Sequence, residues 1–317
     1  MATDPGFSSD TCIFMEAVSG DGGMHDSTAT WWLSPDISLK GPNSGVDTAD
    51  PGLVNKISIL FRRKGATSGC SFPGAESITV EAWVANPSLA MVPSNSNSCR
   101  RVGFIGSPLP FPGATGIQPI DWTPRIGLPA SDPESGGQKC LIARAYPDNL
   151  SPSSIQFFVP DDQHVVQHNL FVVTCPASSS VCSFKVFTVN PLARANVLKI
   201  KLRAQFDANP TEFVRKTVLH RVQSIPGFHQ LATQPPASLG FDLSGLPALG
   251  LIPQQIGPTT TTSTVSDTQL NLAGQLISFT FFAKLSHASG LAHIFHLTQR
   301  GPDDKAQGGL TVVMIRV

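Results

Sequence analysis

Between residues 198 and 205, Leu198, Ile200, Leu202 and Ala204 alternate with Lys199, Lys201, Arg203 and Gln205. A period of two sets the apolar side chains on one face of a strand and the charged ones on the other. That is the pattern of an antiparallel sheet with one buried and one wet side. Runs of the same character occupy 57–61, 78–84, 140–146, 168–174, 183–189, 196–206, 213–222, 272–285, 292–298 and 310–317. Gly, Pro, Asn and Ser bound them, which is strand punctuation. With 27 glycines and 27 prolines, a coiled coil or long helical bundle is excluded. The expected class is all-β, an antiparallel sandwich or barrel of many short strands.

The break falls near Pro176, where the small-residue segment CPASSSVC separates two series of strands. The expected domains are 1–175, a sandwich with an N-terminal extension, and 176–317, a second sandwich with a Pro/Gly/Thr-rich insertion. The excess length sits in loops, at 87–132 and 224–268. Loops this long inside a domain are uncommon and often bind partners. The halves echo each other: GGQKCLIARAYPD precedes HNLFVV, and SGLAHIFHLTQRGPDD precedes GGLTVVMIRV. Two copies of one sandwich unit produce such an echo.

Charge narrows the function. Lys and Arg number 22 and so do Asp and Glu, for a net charge of zero, and only 14% of residues are charged. No basic excess exists to neutralise phosphates, so no nucleic-acid partner is expected. The stripe Lys199, Lys201, Arg203 reads as a solvated strand face that discourages edge pairing. A hydrophobic content of 41% excludes general disorder. The most apolar stretch, 270–285, is short and interrupted by Asn271, Gln275, Ser278 and Lys284, so no membrane span is expected. The opening MATDPGFSSD has neither a basic region nor an apolar run of a standard signal peptide. A charge-poor, neutral surface does little to hold molecules apart. Of six cysteines, Cys175 and Cys182 flank a loop that a disulfide can staple. Buried thiols acting as small apolar residues account for the six equally well.

At Trp31-Trp32-Leu33-Ser34-Pro35-Asp36-Ile37, followed by DPGLVNKISILFRRKG, the sequence resembles the immunoglobulin-like, CARDB-type domains of bacterial surface and secreted proteins. GGQKCLIARAYPD and DDQHVVQHNLFVV are similar to that pattern's closing strands. Gln167, His168 and Asn169 stand at its Q-x-N part, and Asp161, Asp162 and His164 replace its usual asparagines. The resemblance covers about residues 28 to 175. It implies an immunoglobulin-like fold, so the expected fold class is all-β, two tandem immunoglobulin-like antiparallel β-sandwiches with long loop insertions. It also implies an extracellular or assembly role without catalysis in the module.

No H-E-x-x-H, Walker loop, G-x-S-x-G elbow or G-x-G-x-x-G is present. No catalytic, metal-binding or cofactor-binding residue is therefore expected, and no cofactor. GDGG at 20–23 reads as a turn. His164 and His168 would lie about 13 Å apart on one strand face, too far for one ion, so 161–169 reads as an Asp-rich turn tied to a neighbouring loop. His293 and His296 fall on opposite strand faces, which argues against a joint ligand role with His287. His25-Asp26 reads as a turn before a strand. Asp47 and Asp50 lack the full calcium-loop spacing. Asn149-Leu150-Ser151 is a sequon, and the threonines at 259–262 read as a loop insert. The remaining expectation is a non-enzymatic structural or interaction protein, extracellular, at the cell surface or part of a particle. Its expected partners are copies of itself or other assembly proteins. The interface candidates are Trp31, Trp83, Phe104, Phe111, Leu239, Phe241, Leu249 and Ile252. Two alternatives are a glycan-binding module using exposed tryptophans, and a metal-dependent hydrolase using 161–168.

Overall fold

The computed structural model describes residues 4–25, 30–154, 156–159, 161–190, 198–242, 262–270, 276–285, 289–301 and 304–317. The chain forms two compact units, one of Met1–Asn86 with Met91–Asn169, the other of Pro87–Ala90 with Leu170–Val317.

In the first unit the strands are β1 (Ile13–Phe14), β2 (Ile37–Gly41), β3 (Gly45–Val46), β4 (Thr48–Ala49), β5 (Asn55–Arg63), β6 (Ser77–Ala85), β7 (Arg100–Pro108), β8 (Thr115–Trp122), β9 (Gly137–Gln138), β10 (Cys140–Pro147) and β11 (Val165–His168). One sheet holds β1, β2, β3, β5 and β8; the other runs β11-β10-β6-β7. Alternation explains how they meet. Ile57, Ile59 and Phe61 of β5 and Ile78, Val80, Ala82 and Val84 of β6 join Leu141, Ala143, Ala145 and Val166 in one buried cluster. A Cys12–Cys70 disulfide ties in the N-terminal segment.

The second unit has β12 (Leu170–Cys175), β13 (Cys182–Val189), β14 (Leu198–Phe206), α1 (Glu212–Val222), β15 (Gln230–Leu231), β16 (Ser238–Asp242), β17 (Thr262–Leu270), β18 (Leu276–Lys284), β19 (Leu291–Arg300) and β20 (Ala306–Arg316). One sheet runs β12-β20-β19-β14-β17, with β15 beside β19; the other runs β13-β18-β16. They meet through aromatic rings, Phe281 lying 5.4 Å from Phe295. Most pairs are antiparallel, but β12 runs parallel to β20 and β15 parallel to β19. The all-β class holds: each unit is built mainly of two sheets, and in the first unit β4 and β9 form a separate two-stranded pair.

Three expectations change. Residues 213–222, read as a strand, form α1: Thr211 caps it, its hydroxyl accepting from the Val214 N–H, and Val214, Val218 and Val222 are buried. Their spacing of four is a helical stripe. The supposed loop 87–132 contains β7 and β8, and 224–268 contains β15, β16 and β17. HNLFVV is no single strand: His168 closes β11, and Leu170 opens β12 against β20. The Cys175–Cys182 staple is present, whereas Cys99 and Cys140 are buried thiols.

Candidate functional site

Strands β7 and β8 each end a sheet, β7 pairing with β6 and β8 with β5. They approach each other along one side of the first unit. Gln118 Nε2 donates to Ser107 Oγ at 2.9 Å. A Cβ on Gly103 would stand 2.4 Å from Ile120 Cγ2, so only glycine lets β7 come this close. Pro108 and Pro119 lie on these strands, where a missing N–H is tolerated because the strands are edges.

Alternation on an edge strand leaves apolar groups outside. Phe104 is 66% exposed, Ile117 61%, and Phe111, in the turn between the strands, 84%. Ile105 is also exposed. Phe104 stands opposite Glu81 and Ile117 opposite Leu60, residues that alternate with the core-facing sets of β6 and β5. The apolar groups therefore wrap the β7–β8 margin instead of lying on one face. Arg101 sits 5.1 Å over the Phe104 ring while its Nη1 donates to Glu81 Oε1 at 2.8 Å. Past the end of β8, Ile126 is exposed, and a Cβ on Gly52 would stand 2.6 Å from its Cδ1. Leu53 and Val54 beside Gly52 are exposed as well.

Of the interface candidates, Phe104 and Phe111 lie on this margin. Trp31 and Trp83 do not reach the surface. Trp31 is completely buried, edge-on to Trp32 at 5.5 Å. Trp83 points away from the core as its alternation requires, but Phe157 (5.0 Å) and the Arg144 guanidinium (4.5 Å) cover it. Trp32 and Trp122 are buried too, so no tryptophan offers a flat face to a sugar. Leu239 and Phe241 are buried in β16, Phe241 packing on Phe279 and Phe281 at 5.3 and 5.6 Å. Leu249 and Ile252 lie outside the described residues. Ile105 falls inside the stretch 104–111 expected to make contacts, whereas Ile117 was missed because β8 sets its isoleucines among Gly, Gln and Pro instead of marking a core face.

The polar clusters are internal. His164, wholly buried, has Nδ1 2.7 Å from Asp162 Oδ1 and Nε2 2.9 Å from Asp10 Oδ2. Burial opposes its charge, but the bonds to Asp10 and Asp162 outweigh that and hold its pKa up at about 9. With both ring nitrogens taken by carboxylates, His164 has no lone pair for a metal. His168 Nδ1 lies 2.9 Å from the Ser34 carbonyl and Nε2 3.2 Å from Asp47 Oδ2. The Asn169 N–H donates to the Trp32 carbonyl at 2.7 Å, the expected tie to a neighbouring loop, but 165–168 are strand β11 and not part of a turn. Asp50 accepts from the backbone N–H of Asn43 and Ser44 and from the Ser44 hydroxyl; a carboxylate filled by donors is a turn cap. His293 is buried in the second unit, its pKa pushed down to about 4 by that burial. His296 bridges Thr311 Oγ1 and Asp207 Oδ2. His25 Nε2 bonds the Met15 carbonyl; Asp26 and His287 lie outside the described residues. Among the described residues no three His, Cys, Asp or Glu side chains are grouped to hold a metal ion.

No protein-family model matches the chain, and no curated protein matches it. Solved structures share a distant likeness. A collagen adhesin from S. aureus matches at 10% identity and TM-score 0.24, over 89% of this chain and 93% of that one. CBD12 from CALX1.2 matches at 11% identity and TM-score 0.18, over 79% and 76%. A red sea bream transglutaminase matches at 10% identity and TM-score 0.20; it covers 89% of this chain, which spans only 31% of the transglutaminase. Likenesses this distant transfer no activity to this chain.

Proposed function

We propose that this chain is a non-enzymatic interaction protein that associates with a second copy of itself through the β7–β8 margin. The observation that carries the reading is the exposure of Phe104, Ile105 and Ile117 on two adjacent edge strands and of Phe111 in the turn between them. An edge strand offers unpaired backbone groups for strand addition. Full burial of a Phe side chain is worth roughly 1.5–3 kcal/mol, so two such rings, each buried against its symmetry mate, supply an anchor for a twofold contact. Zero net charge leaves little long-range repulsion to oppose it. The two disulfides support a place of work outside the reducing cytosol, at a cell surface or in an assembled particle.

Sedimentation equilibrium over a range of concentrations tests the reading. The wild type is expected to climb from monomer toward dimer mass, and the double variant Phe104→Ser/Phe111→Ser to stay monomeric with an unchanged circular dichroism spectrum. A wild type that is monomeric at every concentration, or a double variant that dimerises as well as the wild type, overturns it.

A further inference from the structure

On the outer face of the β11-β10-β6-β7 sheet lies a cavity of about 350 Å³. Its polar lining is Arg100, Arg101, Arg144, Ser94, Ser96 and Ser154, with Trp83 as an apolar wall. All three charged groups of the lining are guanidiniums, and no carboxylate lines it. The acids that balance them stand behind. Glu81 takes Arg101 at 2.8 Å and Arg144 at 3.0 Å, two cations on one carboxylate. Asp132 and Glu134 take Arg100 at 3.3 and 3.5 Å.

The deepest of the three is fixed before any ligand arrives. The Arg144 side chain is 4% exposed, its Nη1 donates to the Ser153 carbonyl at 2.7 Å, and its guanidinium lies 4.5 Å from Trp83 and 5.3 Å from Phe157. The Arg101 side chain is 50% exposed, and of its guanidinium nitrogens Nη1 donates to Glu81 Oε1 at 2.8 Å. A wall of planar guanidiniums flanked by hydroxyls that can donate suits an oxyanion, because guanidinium forks match carboxylate and sulfate oxygens in pairs. The volume is at the small end of ligand pockets, room for one ring-sized molecule in front of the arginines, with Trp83 behind Arg144.

We propose that this cavity binds the oxyanion of a small acidic ligand, a carboxylate or sulfate, of the size of one acidic sugar residue. The site adjoins the β7–β8 margin, since Arg100 and Arg101 lie on β7 and Arg101 sits 5.1 Å from the Phe104 ring, but it does not depend on the self-association reading. Isothermal titration of the full chain at low salt with sodium glucuronate, inorganic sulfate and glucose tests it. Glucuronate is expected to bind, weakening as salt is raised, and glucose to give no heat. Sulfate binding alone would assign the site to the free ion, against the acidic sugar. Arg101→Gln is expected to weaken glucuronate about tenfold, equivalent to ~1.4 kcal/mol, with Arg101→Lys in between. Arg100→Gln supplies a second variant outside the Glu81 pair. The same affinities in Phe111→Ser separate this site from dimerisation. Absence of glucuronate binding, or binding that neither arginine substitution weakens, overturns the proposal.

Discussion

His164 and Lys139 are buried cations of opposite character, and pH separates them. His164 sits between two carboxylates with its pKa at about 9, against an ordinary 6.5. The folded state therefore holds a proton that the unfolded state releases. Its contribution is complete below pH 6.5 and is lost as pH rises through about 9. His164→Gln is expected to cost roughly 3–5 kcal/mol at pH 6, the range for breaking a buried pair. That deficit should shrink toward pH 9.5, measured by urea denaturation. Lys139 is 1% exposed and donates to Asn86 Oδ1 at 2.9 Å and Ser135 Oγ at 3.0 Å. No carboxylate makes an ion pair with it among the described residues, and burial pushes its pKa down to about 8 from 10.5. Here the unfolded state binds the extra proton, so stability grows as pH rises from about 8 to 10.5. The deficit of Lys139→Met relative to wild type should widen over that interval, the reverse of His164→Gln; a parallel pH course for the two variants would refute the assignment. The sequence showed Asp161, Asp162 and His164 as a tied-down turn, but His164's other partner, Asp10, is 154 positions away. No local pattern encodes that pairing.

At the level of elements, the central strands were legible and so was the edge strand β13, but the edge strands β7 and β8 were not. Strands β5, β6 and β10 carry alternating apolar residues because they are central, with a wall of side chains to fill. β7 and β8 close their sheets, so their inward positions are met by Gly103, Ser107 and Ile120, and the stretch reads as loop. The same displacement hid the β8 side of the candidate site: Phe104 and Phe111 were legible as exposed apolar residues, but Ile117 belongs to a strand that the pattern did not reveal. The α1 error has another source. Phe213, Val214, Val218 and Val222 favour strands by propensity, yet the buried valines recur every four residues. Thr211, Glu212 in the first turn and His220 and Arg221 in the last supply a cap and dipole-matched charges. The Thr211 hydroxyl accepts from Val214 at 3.4 Å, a long bond. Thr211→Ala is accordingly expected to cost about 1 kcal/mol in urea denaturation, and an unchanged midpoint would show the cap idle.

For the whole molecule, the two units are not cut from the chain in one place. Pro87–Ala90 leaves the first half to join the second unit. There the Leu89 N–H donates to the Phe187 carbonyl at 2.9 Å and the Phe187 N–H to the Pro87 carbonyl at 2.7 Å. Gly308 on β20 makes room for this excursion: a Cβ there would stand 1.9 Å from the Leu89 carbonyl oxygen and 2.9 Å from the Ala90 nitrogen. These are backbone atoms that no rotamer change can move aside. Gly308→Ala must therefore push 87–90 away or bend β20, at about 1–3 kcal/mol for an overpacked site. Hydrogen exchange resolves where the cost falls. The amides of Leu89 and Phe187 should lose protection, since both donate across the displaced contact. The amides of His164, bonded to Asp162 at 2.9 Å, and Asn169 belong to the first unit and should keep theirs. Loss of protection at all four would mean that the two units unfold as one, and unchanged exchange at Leu89 would mean that residues 87–90 do not pack on Gly308.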